Sequence, residues 1–250
     1  MNSIALYSIK GGVGKTATAV NLAYLAAASG ASTLLIDLDP QSAATFYFRI
    51  RTPKKHTQDR LLKGGKKMAR NIRETDFPLL HLLPADFSYR NLDITLDGMK
   101  RSKKRLKEIL ESLKDAYRFV FIDCPPNITL VSENVFVAAD IILLPVIPTV
   151  LSMRTYETLL RFFSESGLKA DKIWPFFSMV EKRKKMHSEL LETTWQKGGL
   201  FLQNYIPYLS EIEKMGLYRA PLVFQKPSSA AAQAYRRLWE EIKEKMRKEE

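Results

Sequence analysis

Between Lys10 and Thr16 the chain reads KGGVGKT: three glycines with a lysine on either side and a threonine at the end. Glycines let a backbone approach a ligand closely, and successive N–H groups at the start of a helix cradle an anion. A lysine and a hydroxyl directly after such a loop are the residue types that hold a polyphosphate and its Mg²⁺. The loop positions Gly11, Gly12, Val13, Gly14 and Ala17 are therefore candidate nucleotide contacts. Lys15 is the candidate partner of the β- and γ-phosphates, and the Thr16 hydroxyl is a candidate Mg²⁺ ligand. The strict pattern G-x-x-x-x-G-K-[ST] is not met, because Ile9 stands five positions before Gly14. Lys10 is more than such a loop requires.

Two apolar runs end in carboxylates. "LLIDLDPQ" carries Asp37 and Asp39, and "FVFIDCPP" carries Asp123. At the C-terminal ends of neighbouring parallel strands these acids would lie beside the loop, where open α/β sheets bind their ligands. Cys124 reads as a small buried residue, since no histidine lies near it in sequence to activate a thiol.

Positioning these groups requires a scaffold of alternating strands and helices. Continuous apolar runs predict strands covered on both faces at Ile4–Ile9, Thr33–Asp37, Leu79–Leu83, Phe119–Asp123, Ile141–Val146 and Ile173–Met179. Amphipathic stretches predict helices over Lys15–Ala28, Lys103–Asp115, Leu130–Ala138, Ser152–Ser166 and Met186–Gln196, with a last helix from about Ala230 to Lys245. The fold class is α/β: a mostly parallel twisted sheet with helices on both faces, of the P-loop NTPase type. No repeat or linker interrupts the 250 residues, so a single domain is expected.

Composition excludes several classes. No apolar run reaches the roughly 18–20 residues that span a bilayer, and the first strand begins too early for a signal-peptide layout. A single cysteine rules out a disulfide framework and a cysteine-cluster metal site within one chain. A cytoplasmic location follows as an expectation. The charge is unusual, with 39 Lys and Arg against 27 Asp and Glu, a net +12. Such a balance favours a polyanionic partner.

The spacing K-G-G-x-G-K-T resembles the deviant Walker A box of the ParA/MinD family of P-loop ATPases. "LLIDLDPQ" is similar to that family's D-x-D-P-Q segment, and "FVFIDCPP" has the form of its Walker B strand. The resemblance implies ATP and Mg²⁺ as cofactors and a homodimer bridged by ATP. It gives Lys10 a role: contacting the nucleotide of the partner subunit, with the charge logic of an arginine finger. It also implies that Asp39 positions the attacking water, that Asp37 supports the metal shell, and that Asp123 holds Mg²⁺ through water. "ILLPVIPT" resembles a strand and loop close to the nucleotide. "YRAPLVFQKPSSAAAQAYRRLWEEI" resembles the family's closing segment, which places Lys226 and Pro227 beside the adenine. The likeness is strong over residues 1–45 and 119–150 and thin over 46–118.

Among the members of that family, ParA-like partition ATPases fit best. One cysteine cannot hold the iron–sulfur cluster of the reductase-type relatives. The tail "EEIKEKMRKEE" offers only Ile242 and Met246 as apolar residues, too narrow a face for the membrane helix of a MinD-like switch. A nucleic-acid surface is legible in the basic runs. Ten Lys and Arg fall between Arg49 and Arg73 against one acid, Asp59, and "KRSKKRLK" adds six from Lys100 to Lys107. Candidate DNA contacts are Lys54, Lys55, Lys63, Lys66, Lys67, Lys103, Lys104 and Arg219. The expected function is an ATP-dependent dimerising ATPase that binds DNA non-specifically on the nucleoid and segregates cargo with a ParB-like adaptor. No membrane contact and no N-terminal helix-turn-helix domain are expected. The alternatives are a MinD-like positioning switch without DNA and a metabolic ligase sharing the loop. One departure stands out: "IPYLSEIEKMGLYRAP" places Tyr208, Glu211 and Glu213 where the family often carries a DNA-contacting arginine.

Overall fold

The computed structural model describes residues 1–52 and 57–249; Lys54 and Lys55 lie outside the described residues. The chain opens with β1 (Asn2–Leu6), α1 (Lys15–Ala28), β2 (Thr33–Asp37) and the short α2 (Ala43–Tyr47). The basic stretch forms α3 (Thr57–Lys63) and α4 (Gly65–Ala69), followed by β3 (Arg73–Glu74) and β4 (Leu80–Leu83). A 3₁₀ turn (Phe87–Asn91) leads into α5 (Leu92–Asp97), and a second (Ser102–Lys104) into α6 (Arg105–Glu111). Then come β5 (Phe119–Asp123), α7 (Leu130–Ala138), β6 (Ile141–Val146), α8 (Val150–Glu165), β7 (Ile173–Phe177) and α9 (Lys185–Gln196). Three short helices, α10 (Ser210–Glu213), α11 (Met215–Tyr218) and α12 (Leu222–Gln225), precede the long α13 (Ala230–Glu249).

Seven strands form one sheet in the order β3-β4-β2-β5-β1-β6-β7. All pairs are parallel except β3 with β4 at one edge. Successive side chains of a strand point to opposite faces. Leu35, Phe121 and Leu143 therefore enter the hydrophobic cluster closed by α1 and α13, while Ile36, Ile122 and Ile142 enter the one closed by α6, α7 and α8. Apolar runs that looked uninterrupted in the sequence are thus needed on both faces.

Strand ends moved where the chain leaves the sheet to build loops. β1 stops at Leu6 rather than Ile9: the Tyr7 N–H still donates to the Leu143 carbonyl (3.1 Å), and the chain then turns into the glycine loop. β7 stops at Phe177 rather than Met179, because Met179 takes a left-handed conformation with φ of 56°. The helix expected over Lys103–Asp115 is a 3₁₀ turn and the shorter α6. Helix α13 continues to Glu249 and spends Ile242 and Met246 on the core. Among the described residues no helix is long and apolar enough to cross a membrane.

Candidate nucleotide-binding site

The glycine loop joins the C-terminal end of β1 to α1. Gly12 and Gly14 have φ of 71° and 90°, a region that side-chain-bearing residues enter only at a cost. A Cβ at Gly14 would also stand 3.3 Å from the Ser178 hydroxyl, which donates to the Val13 carbonyl (2.9 Å) and ties the loop to the end of β7. No side chain caps α1 and no acid sits in its first turn, so its leading amides remain available to an anion. The Lys15 ammonium lies under the loop and donates to the Lys10 carbonyl (3.2 Å). Burial lowers its pKa from the ordinary lysine value, and the charge of Asp123 opposes that shift most.

Three carboxylates gather beside it. Asp37 and Asp123 are register partners across β2 and β5. Asp37 is fully engaged: its Oδ2 accepts from the Thr45 backbone N–H (2.8 Å) and hydroxyl (2.7 Å), and its Oδ1 accepts from the Asp39 N–H (3.2 Å). Burial raises its pKa to about 6 despite these bonds. Asp123 is buried and neither of its carboxylate oxygens has a hydrogen-bond partner among the described residues. Burial raises its pKa well above the carboxylate range, and the charge of Asp37 adds to this, while the nearby Thr16 hydroxyl and Lys15 oppose it. Asp39 is partly exposed, and its Oδ1 accepts from the Gln41 N–H (2.9 Å).

An unpaired buried carboxylate is costly unless a cation or a proton compensates it. Asp123, next to the Thr16 hydroxyl and a loop of amides, therefore fits a Mg²⁺–polyphosphate: hard oxygen donors suit Mg²⁺, which keeps much of its water. Thr16 and Asp123 are the residues that would hold the metal. Asp37 would act on it only by positioning, since its oxygens already bind the β2–α2 turn.

The loop opens into a cleft of ≈ 430 Å³, large enough for a small ligand. Gly11, Gly12, Gly14, Lys15, Thr16, Ala17 and Asp39 line one end, with Tyr47 and Tyr235 along the wall. The other end is formed by Pro207, Tyr208, Leu209, Ile212 and Glu213, where the Tyr208 hydroxyl donates to Glu213 (2.9 Å). Lys226 and Pro227, expected beside a base, are not among the lining residues; Lys226 is 3.5 Å from Glu211 on α10. The segment read in the sequence as a departure from a DNA-contacting pattern, Ile206 to Glu213, thus supplies the cleft wall. Nothing in its spacing marks it as such, because it reaches the loop through a backbone ladder: Ile206 N–H to Phe177 O (2.9 Å), Val180 N–H to Ile206 O (3.0 Å) and Tyr208 N–H to Val180 O (2.9 Å).

Lys10 turns away from its own cleft. Its Nζ lies 3.5 Å from the Ser152 hydroxyl at the start of α8, beside the exposed Val150 and Leu151. The end of β6 and the residue after it, in the segment expected near the nucleotide, border Lys10 through Pro145, Val146 and Ile147, and none of these three lines the cleft. Cys124 is buried with its thiol pKa raised by burial, and its Sγ is 3.6 Å from the Ile122 carbonyl.

The basic residues divide. The Arg105 Nε–H donates to the Leu62 carbonyl (2.6 Å), which joins the start of α6 to the end of α3. Lys63, Lys66 and Lys67 therefore share one side of the molecule with Lys103 and Lys104, all exposed, although Lys103 is paired with Glu133 (2.7 Å). Arg219 lies elsewhere, against α2, where its Nε–H donates to the Phe46 carbonyl (3.0 Å).

A parallel α/β sheet with a glycine-lysine loop at the end of β1 and an acid at the end of β5 defines a P-loop NTPase. The chain belongs to the AAA_31 family of AAA domains, which matches residues 1–172, and the proteins it is similar to are ParA-like. It is 37% identical over 145 residues to the chromosome partitioning protein ParA of Caulobacter vibrioides, covering 57% of this chain and 54% of that protein. The match thus spans about half the length of that relative. The chromosome-partitioning ATPase Soj of Treponema pallidum is 29% identical over 238 residues, 93% of each chain. In structure, a Borrelia burgdorferi protein assigned to plasmid partition and bound to AMPPNP superposes with a TM-score of 0.84 at 22% identity, covering 98% of this chain and 99% of that one. That last likeness is one of fold.

Proposed function

We propose that this chain is a Mg²⁺-dependent ATPase of the partition type, acting as one domain, whose ATP-bound homodimer holds DNA non-specifically. The observation that carries the reading is Asp123, a buried carboxylate that has no hydrogen-bond partner among the described residues and stands beside the glycine loop. Lys15 and the loop amides bind the polyphosphate, and Thr16 and Asp123 hold Mg²⁺, which supplies charge neutralisation at the transferring phosphate. Asp39, fixed by Gln41 and by the turn on Asp37, orients the water. The wall from Pro207 to Ile212 takes the base in place of Lys226 and Pro227.

Lys10 serves the partner's nucleotide. Its exposed position beside Val150 and Leu151 suits a surface covered by a second copy, with the phosphates part of the contact. Lys63, Lys66, Lys67 and Lys104 provide the DNA face, since clustered exposed lysines release counterions on meeting phosphates. Hydrolysis, stimulated by a ParB-like adaptor, returns the chain to the monomer and frees the DNA; ATP acts by its higher affinity for the dimer. A membrane-bound switch finds less support, as the tail's Ile242 and Met246 are buried.

Light scattering and DNA retention with ADP and with a non-hydrolysable ATP analogue test the proposal together. The expected result is a dimer that retains DNA with the analogue alone, and loss of both in Lys10→Ala. A dimer that ignores DNA at low salt would leave the ATPase standing and remove the DNA reading.

A further inference from the structure

A second groove, of ≈ 630 Å³ and sharing no lining residue with the nucleotide cleft, runs between α1, α12 and the turn from β3 to β4. Its floor is aromatic and comes from separate parts of the chain: Tyr24, Phe77 and Phe224 meet edge to face with centroids 5.0–5.8 Å apart, and Phe48 lies 6.0 Å from Phe77. Core aromatics of this kind are normally closed over, yet Phe224 is 50% exposed and the neighbouring Leu79 48%. Apolar surface held open to water in one place, with a charged rim, marks contact sites.

Two arginines form that rim, and both are pre-set. The Arg219 guanidinium stacks over the Phe46 ring at 4.4 Å and is fixed through Nε, while its two Nη groups have no partner among the described residues. The Arg49 Nη2 donates to the Tyr218 carbonyl (3.0 Å), and its Nη1 faces Asp76 only loosely, at 3.9 Å. A stacked, planar guanidinium with free Nη groups is a receptor for a carboxylate. Among the described residues, three of the six non-glycine residues with positive φ also line this groove: Arg49 at 57°, Leu79 at 62° and Arg219 at 50°. Arg49 and Arg219 take this conformation where α2 and α11 end, which fixes the backbone that carries both guanidiniums at the rim.

We propose that this groove is a docking site for a protein segment in which a large apolar side chain stands next to a carboxylate. The ring takes the aromatic floor, and the carboxylate pairs with Arg219 across a rim of two cations and one anion. Charge complementarity favours an acidic segment, and the aromatic floor favours a peptide over duplex DNA, whose bases are stacked within the helix and whose phosphates gain nothing from apolar rings. This separates Arg219 from the lysines of α3, α4 and the second 3₁₀ turn, and it does not depend on the nucleotide site.

The test uses random hexapeptides displayed on phage, selected on the intact chain, then synthesised and measured by fluorescence polarisation. The expected outcome is a set of sequences sharing a carboxylate beside an aromatic or large aliphatic residue. Their affinity should fall about tenfold or more in Arg219→Ala and in Phe224→Ala. Arg219→Lys, which keeps the charge and loses the planar fork, should bind weakly as well. Thermal melting and ATP titration identify any variant that has lost its fold. Recovery of no peptide, peptides without a carboxylate, or equal binding by folded variants overturns the proposal. So does a loss of duplex DNA retention in these variants while peptide binding persists.

Discussion

Asp37 and Asp123 are register partners across β2 and β5, yet one carboxylate accepts three hydrogen bonds and the other has no hydrogen-bond partner among the described residues. The same residue type at the same strand end therefore does two jobs. Asp37 fixes the turn that presents Asp39, and Asp123 is the acid that would meet a cation.

Because Asp123 is buried without a partner, removing its charge should help the metal-free chain. Asp123→Asn is expected to raise its stability by about 1–3 kcal/mol. Urea unfolding in EDTA measures this, and a destabilised variant would show that the carboxylate is satisfied in solution.

Gly14 is expected to tolerate no side chain. With φ of 90° and Ser178 3.3 Å from an added Cβ, Gly14→Ala should cost about 1–3 kcal/mol and weaken ATP binding as well. Chemical denaturation and ATP titration give the two numbers. An unaltered ATP affinity would mean that the loop does not need this conformation.

The DNA face should be separable from the ATPase. Reversing Lys66 and Lys67 to Glu is expected to weaken DNA retention and to reduce the salt slope by about 1 for each phosphate no longer neutralised. Hydrolysis without DNA should be unchanged. If DNA retention stays constant, the face formed by α3, α4 and the second 3₁₀ turn is not the DNA surface.

His187 gives the chain a pH dependence outside the site. It is buried at the start of α9, where its Nδ1 accepts from the Glu181 N–H (3.1 Å), and burial, with the charge of Lys184, lowers its pKa below the ordinary 6.5. A lowered folded pKa means that the unfolded chain binds the proton first. Stability contributed by neutral His187 is thus present above pH 6.5 and lost as the pH falls through the folded value. Melting temperatures from pH 8 to pH 5 should fall less steeply in His187→Asn than in wild type. Parallel curves would remove His187 as the cause.

Much of this was legible in the sequence where the physics is local. Thr33–Asp37, Phe119–Asp123 and Ile141–Val146 are strands with the bounds expected from their apolar runs, and Lys15–Ala28 and Leu130–Ala138 are helices with theirs. The glycine loop was legible because its chemistry lies in consecutive residues. The far wall of the cleft was not: Pro207 to Ile212 reach it through backbone hydrogen bonds to Val180, which no spacing reveals. Nor could the sequence show that Asp37 is consumed by Thr45, eight residues on, while Asp123 is left unpaired. It placed Arg219 with the lysines, from which the fold separates it.

The most direct test of the metal and phosphate site is ATP binding by calorimetry, with Mg²⁺ and with EDTA, for wild type and Asp123→Asn. The expected result is that Mg²⁺ tightens ATP binding in wild type and has little effect in Asp123→Asn, while the variant still binds ATP weakly through Lys15 and the loop amides. An equal Mg²⁺ effect in both proteins would contradict this reading of the site, because Asp123 would then hold no metal.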